Sequence, residues 1–246
     1  MEKKQKLFSA DDFDKNLSIG DELVFDKPEI KKLRIDLTWF GTDLDLGAFL
    51  LGSDGMIHER EDLVYFNSRL RWLPAKPFDD DEFNPLEGRP STFDKDGANY
   101  KNPNKWMEAT LPLSSDHAVI GSWDDMDDDD DETEDNEDNE CGETMHVLLE
   151  EVNTSKHKSI VFVAAVAKDR IQKGETFKDA RSPFVSIYNA ETDELIAQYQ
   201  LASQFPDKDA VCLGKLVYGD DWMWSFVPMA DGYNGGMQKL AIDVFN

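Results

Sequence analysis

Cysteine is nearly absent from this chain, with two residues, Cys141 and Cys212, among 246. They lie far apart, one beside an acidic run and one in an apolar strand pattern, without C-x-x-C spacing. A disulfide framework and a cysteine-based metal knuckle are therefore excluded, and two free thiols are expected. Basic residues are scarce too: 26 Lys and Arg stand against 52 Asp and Glu, for a formal net charge of −26. Binding a phosphate backbone needs clustered Lys and Arg that release counterions, so no direct nucleic-acid binding is expected. Docking on anionic lipid is disfavoured for the same reason, unless calcium inverts the local field. No apolar run approaches the roughly 18 residues of a membrane-spanning helix, and integral membrane association is not expected. The N-terminal stretch MEKKQKLFSADDFDK has no apolar core to read as a signal peptide. These absences predict a cytoplasmic protein.

Catalytic signatures are equally thin. The four histidines, His58, His117, His146 and His157, show no His-x-x-x-His or Cys/His spacing for zinc. His146 alternates within a strand pattern and reads as an ordinary surface or core imidazole. No Gly-rich phosphate loop precedes a helix, and no G-x-S-x-G elbow occurs. Carboxylate pairs of the glycosidase kind arise by chance on a surface this acidic and carry no such reading. Trp222, Trp224 and Phe226 sit at strand spacing and are read as core rather than as a ligand platform. No enzyme is expected.

What the chain does have is a period of two. Leu33, Ile35, Leu37 and Trp39 alternate with Arg34, Asp36 and Thr38, as in a strand with one buried face. Gly41-Thr42 interrupts, and Leu44, Leu46, Ala48 and Leu50 open a second strand. On it Asp43 and Asp45 stand two apart and project from one face. That face continues into Gly47, Phe49 and Leu51, so the two acids belong at the rim, where the strand leaves its loop. Like charges held so close repel, and a bound cation relieves them; a solvated loop end with two surface acids is the alternative.

Further strands are read at Leu17–Phe25, Leu63–Phe66, Met145–Leu149, Ile160–Val166, Phe184–Tyr188, Leu195–Tyr199, Val211–Tyr218 and Trp222–Val227, with a short closing helix near Gly235–Ile242. About ten short strands with almost no helical period predict an all-β fold, a β-sandwich with a short C-terminal helix. Residues 1–16 read as an N-terminal extension and 17–246 as a single domain. Between about 71 and 113 the strand pattern dissolves among six prolines, while Phe78, Phe83, Phe93, Tyr100 and Trp106 offer apolar anchors. An insertion packed on the outside of the domain is expected there, with disorder as the alternative. From Asp124 to Glu140, 13 of 17 residues are acidic, and most of that loop is read as a solvated tract.

Several of these stretches together resemble the TerD family of tellurium-resistance and stress-response proteins. They are Leu37-Thr38-Trp39 with Asp43-Leu44-Asp45-Leu46-Gly47-Ala48-Phe49-Leu50-Leu51, then Asp62 to Asn67, Ile160 to Val163, Phe177 to Ile187, Glu194 to Tyr199, Trp224 to Phe226 and Gly232 to Met237. The resemblance implies a β-sandwich that binds calcium through acidic loops at one end. Carried over by position, it implies metal ligands at Asp43, Asp45, Asp124, Asp125 and Glu143. The loop departs from the family pattern: Trp123 replaces a glycine, Asp125 an asparagine, and Cys141-Gly142 two aspartates. Asp116 to Val119 resembles the start of that loop. The function so implied is that of a non-enzymatic, cytoplasmic calcium-binding protein whose loops, ordered by Ca2+, present a surface to a protein partner. Two alternatives stand beside it: an acidic interaction module whose poly-Asp segment binds a basic protein or mimics nucleic acid, and a hydrolase hidden in the insertion.

Overall fold

The alternation at Leu33–Trp39 becomes a strand whose apolar row faces inward, and the sandwich is built around it. A computed structural model describes residues 5–7, 15–25, 29–92, 103–122, 140–201 and 205–245. In chain order the strands are β1 (Gln5–Leu7), β2 (Glu22–Val24), β3 (Lys32–Gly41), β4 (Leu44–Leu51), β5 (Leu63–Val64), β6 (Leu70–Pro74), β7 (Gly88–Thr92) and β8 (Leu111–Pro112). They continue as β9 (Val119–Gly121), β10 (Cys141–Leu148), β11 (Ser159–Val166), β12 (Ala180–Asn189), β13 (Glu194–Gln200), β14 (Ala210–Tyr218) and β15 (Trp224–Tyr233). Short helices occupy Pro103–Glu108 and Lys168–Gln172, and a longer one closes the chain at Gly236–Asp243.

Seven strands form one sheet in the order β1-β2-β15-β14-β11-β4-β5, and five form the other as β13-β12-β3-β10-β9. Apart from the parallel β1–β2 pair, the pairings run antiparallel. Leu33, Ile35, Leu37 and Trp39 of β3 meet Leu44, Leu46, Ala48 and Leu50 of β4 in one core with Phe162, Ile187, Leu213 and Phe226. Each such side chain contributes about 1.5–3 kcal/mol on burial, which fixes the register, since a one-residue slip would turn the row to water.

β4 is buried on both faces. Its other row, with Phe49 and Leu51, packs with Val161 and Val163 of β11 against Met237 and Leu240 of the closing helix. That helix begins where Gly235, at φ 108°, turns the chain through a conformation open to glycine. The buried carboxylate of Asp209 accepts hydrogen bonds from the Gly235 and Gly236 N–H groups at 2.7 and 2.8 Å, satisfying donors that a helix start leaves open.

The strands number fifteen among the described residues, against about ten expected. Part of the excess lies in a third sheet, β7-β6-β8, within the proline-rich stretch. Leu111, Leu113 and Ile120 are buried there, with Trp72, Phe78, Phe83 and Leu86 packed on them. Arg71, 1% exposed, donates to the carbonyls of Phe66 at 2.5 Å and Met107 at 3.1 Å, and to the Thr110 carbonyl at 2.5 Å and hydroxyl at 3.1 Å. Phe93 and Tyr100 lie outside the described residues. The expected strand at Leu63–Phe66 stops after Val64, because Ser68 folds the next residues into a turn. Its N–H donates to the Tyr65 carbonyl and its hydroxyl to that of Leu63. Within Leu17–Phe25 only Glu22–Val24 is strand.

Candidate functional site

Gly41, Leu44, Cys141, Val166 and Ala180 lie at one end of the sandwich, by their pairings in β3, β4, β10, β11 and β12. At this end Gly41 takes φ 91°, and a Cβ added there would meet the Asp179 carbonyl oxygen. The next residue is anchored twice: Thr42 N–H donates to the same carbonyl at 3.1 Å and its hydroxyl to Glu175 at 2.5 Å. Asp43 follows, half-buried and just ahead of β4, its carbonyl accepting from Ala167 N–H at 3.0 Å.

Asp45 lies within β4 opposite Ala165 and is 8% exposed. By alternation it shares the row of Gly47 and Phe49, which faces the closing helix. Glu143 of β10 is 5% exposed and shares the inward row of Met145 and Val147. Its Oε2 accepts the Leu46 N–H at 2.6 Å. β5 pairs with β4 only at Ala48 and Phe49, so Leu46 lies beyond the end of that strand and the carboxylate serves as its acceptor. Glu143 thus reaches the residue after Asp45 from the core side of β4, while Asp45 itself belongs to the row on the opposite face of that strand.

Asp124 and Asp125 lie outside the described residues. Among the described residues, no three His, Cys, Asp or Glu side chains are grouped so as to hold a metal. Asp43, Asp45 and Glu143 carry carboxylate oxygens, the hard ligands that calcium takes six to eight at a time, but these three do not close such a shell by themselves.

A second cluster lies at the opposite end. His157 is fully buried between two acids, with Nδ1 2.8 Å from Asp116 and Nε2 3.1 Å from Asp62. Asp62 also accepts from the Ser115 hydroxyl at 2.6 Å, the Lys156 ammonium at 3.1 Å, and the N–H groups of His58 and Glu59 at 3.1 and 2.9 Å. Asp116 accepts from the Ser114 hydroxyl and from the N–H groups of Ala118 and Asn153. Burial alone would discharge the imidazole, but hydrogen bonds and opposing charge from Asp116 and Asp62 outweigh it and push its pKa up to about 9. Burial opposes ionisation of the acids too, yet the bonds to His157, the serine hydroxyls and the backbone hold Asp62 far below the usual carboxylate range, and Asp116 below it. The imidazolium pins three loops together. It is enclosed on all sides, which suits a structural role rather than proton transfer to a substrate. Asp62 and Asp116 each open a stretch that resembles the family, but nothing in their spacing ties them to each other or to His157.

His146 is half-buried, and burial together with the nearby Arg34 lowers its pKa to about 4. Trp224 and Phe226 are core residues, as expected, but Trp222 is not: it is 80% exposed, because it sits in the turn between β14 and β15 rather than in a strand. Among the described residues, no helix is long and apolar enough to cross a membrane.

The fold is an all-β sandwich with two buried acids, Asp45 and Glu143, at this end of it. The TerD domain signature matches residues 116–243, just over half of the chain. The chain belongs to the TerD-domain family. It is 21% identical over 234 residues to the tellurium resistance protein TerD of Serratia marcescens, covering 92% of this chain and 94% of that protein. It is 33% identical over 101 residues to general stress protein 16U of Bacillus subtilis (strain 168), a match spanning 41% of this chain and about half (51%) of that relative. A solved homologue of the telluride resistance protein TerD from Streptomyces coelicolor A3(2) shares the fold with a TM-score of 0.52 and 14% identity, covering 86% of this chain and 95% of that one.

Proposed function

We propose that this chain is a non-enzymatic, cytoplasmic calcium-binding protein of the tellurium-resistance and stress-response type. In this reading Ca2+ is held at the head of β4 by Asp43, Asp45 and Glu143, with Asp124 and Asp125 of the acidic loop completing the shell. The Glu143 carboxylate reaching the Leu46 N–H, one residue from Asp45 along β4, is the observation that supports it most. Both carboxylates are nearly removed from water, and carboxylate oxygens are the ligands that calcium takes. Binding to the folded state alone raises its stability, and the ordered loops then offer a surface to a protein partner.

Calorimetric titration with Ca2+ tests this, with Mg2+ as control. Asp45→Asn combined with Glu143→Gln keeps side-chain oxygens in place, so the Leu46 N–H retains its acceptor while two charges disappear. Affinity is expected to fall by about tenfold or more, the equivalent of about 1.4 kcal/mol. An unchanged affinity in the double variant, or no heat up to about millimolar Ca2+, counts against the reading.

A further inference from the structure

The turn between β14 and β15 carries a tryptophan where the backbone favours glycine. Gly219 N–H donates to the Met223 carbonyl at 2.8 Å and Trp222 N–H to the Gly219 carbonyl at 3.1 Å. Within this tight hairpin Trp222 takes φ 68°, a left-handed conformation in which a bulky side chain is strained and Gly, Asn or Asp is the usual occupant. Packing does not account for the choice. The indole is 80% exposed and meets the Tyr218 ring edge-on, with centroids 6.5 Å apart. Strain retained for a side chain that faces water points to recognition rather than stability.

Beside the indole runs a groove of about 500 Å³, lined by Phe25, Ile30, Val152, Tyr218, Trp222 and Trp224, with Glu150 and Lys31 also on its wall. Tyr218 stands 5.2 Å from Trp224, centroid to centroid. The Tyr218 hydroxyl and the Trp222 indole N–H make no hydrogen bond to the described residues. Glu150 pairs with Lys31 across 2.9 Å, and Asp220 and Asp221, both exposed, precede Trp222 in the turn.

We propose that this groove takes a proline-rich segment of a partner protein in the polyproline II conformation, with an arginine or lysine beside the prolines. Such a segment makes no internal hydrogen bonds. Its carbonyls are therefore open to the tyrosine and indole donors, while its rings pack against Trp222 and Tyr218 at the mouth of the groove and little chain entropy is lost. The basic residue answers Asp220 and Asp221 in a chain of net charge −26. A sugar would also stack on tryptophan, but a neutral one would gain nothing from the charges of Asp220 and Asp221 beside it. This site lies at the end of the sandwich opposite Asp45 and does not depend on calcium.

The test is calorimetry on the whole protein with three probes: a blocked proline peptide flanked by arginines, the same peptide with glycine and serine replacing the prolines, and maltoheptaose. The proline peptide is expected to bind at micromolar Kd, and the glycine-serine peptide about tenfold more weakly or worse. Trp222→Gly relieves the backbone while removing the ring, so it should lower proline-peptide affinity by about tenfold or more with Tm unchanged or raised. Equal binding of the two peptides would reduce the site to net charge and overturn the proposal. So would binding of maltoheptaose instead, absence of heat up to about 1 mM peptide, or a Trp222→Gly variant that loses Tm and keeps its affinity.

Discussion

Exchanging His157 for glutamine removes an imidazolium held between two buried carboxylates. The pKa of His157 rises from 6.5 to about 9 in the folded chain, and at about 1.4 kcal/mol per unit the charged form contributes about 3 kcal/mol to folding. A raised pKa sets the sign. The contribution is complete below 6.5, where the unfolded chain is protonated as well, and is lost as pH climbs through 9. The same contact seen from Asp62 and Asp116, whose pKa values are depressed, is complete above the usual carboxylate value of about 4 and is lost as pH falls. These are two views of one interaction and do not add. The cluster is therefore at full strength between about pH 4 and 6.5. Lys156 stays charged throughout, since its bonds to Asp62 and Glu59 raise its pKa against the opposing effect of burial. Urea unfolding at pH 6 and pH 9.5 measures the effect. The native chain should lose about 3 kcal/mol more than His157→Gln over that interval. At pH 6 the variant should be less stable by about 3–5 kcal/mol, because two buried acids are left with less compensation. Equal pH slopes in the two proteins would refute the reasoning. Proton NMR of the native chain gives an independent check: the His157 ring should keep its imidazolium shift beyond pH 8, and a titration centred near 6.5 would refute it without any variant.

Arg71→Met should lower stability by about 3–5 kcal/mol in urea unfolding, because four oxygens that face its guanidinium lose their donor at a site 1% exposed. Gly41→Ala should cost about 1–3 kcal/mol, since it combines φ 91° with a Cβ driven onto the Asp179 carbonyl; a variant with unchanged Tm would show that the turn can shift. In calcium-free buffer Glu143→Gln should be nearly neutral, whereas Glu143→Ala should cost about 1–3 kcal/mol by leaving the Leu46 N–H without its acceptor. Differential scanning calorimetry of the pair separates that backbone bond from any role in binding metal.

The sandwich was legible wherever one strand face meets the core. Leu33 to Trp39 and Ile160 to Val166 pair along long registers, so their side-chain pattern is set by burial alone. The third sheet was not, because its strands span only two to five residues and their apolar partners come from elsewhere, as when Ile120 of β9 packs with Leu111 and Leu113. Trp222 shows a different failure. Its spacing from Trp224 and Phe226 is that of a strand, but a turn residue in a left-handed conformation does not obey strand alternation. The convergence of Glu143 on β4 was suggested by a resemblance rather than by periodicity, since a contact between residues 97 apart leaves no local trace. The same holds for His157, whose acids lie 41 and 95 residues away.

The buried imidazolium and the aromatic groove share one connection, the loop between β10 and β11. Its Asn153 N–H reaches Asp116 at 3.1 Å, and its Asn153 carbonyl accepts the His157 N–H at 2.8 Å, so the cluster fixes the loop from one side. From the other side Leu149, Glu150, Val152 and Thr154 form a wall of the groove. Whatever loosens the cluster therefore loosens that wall. Linkage then runs both ways: a ligand that requires the wall in place favours the protonated ring, and its affinity must decline as pH passes about 9. The head of β4 is held by other contacts, those of Thr42, Asp43 and Leu46. The two ends of the sandwich are in that sense separate instruments, each built on buried carboxylates, one around a histidine and the other proposed to hold a cation.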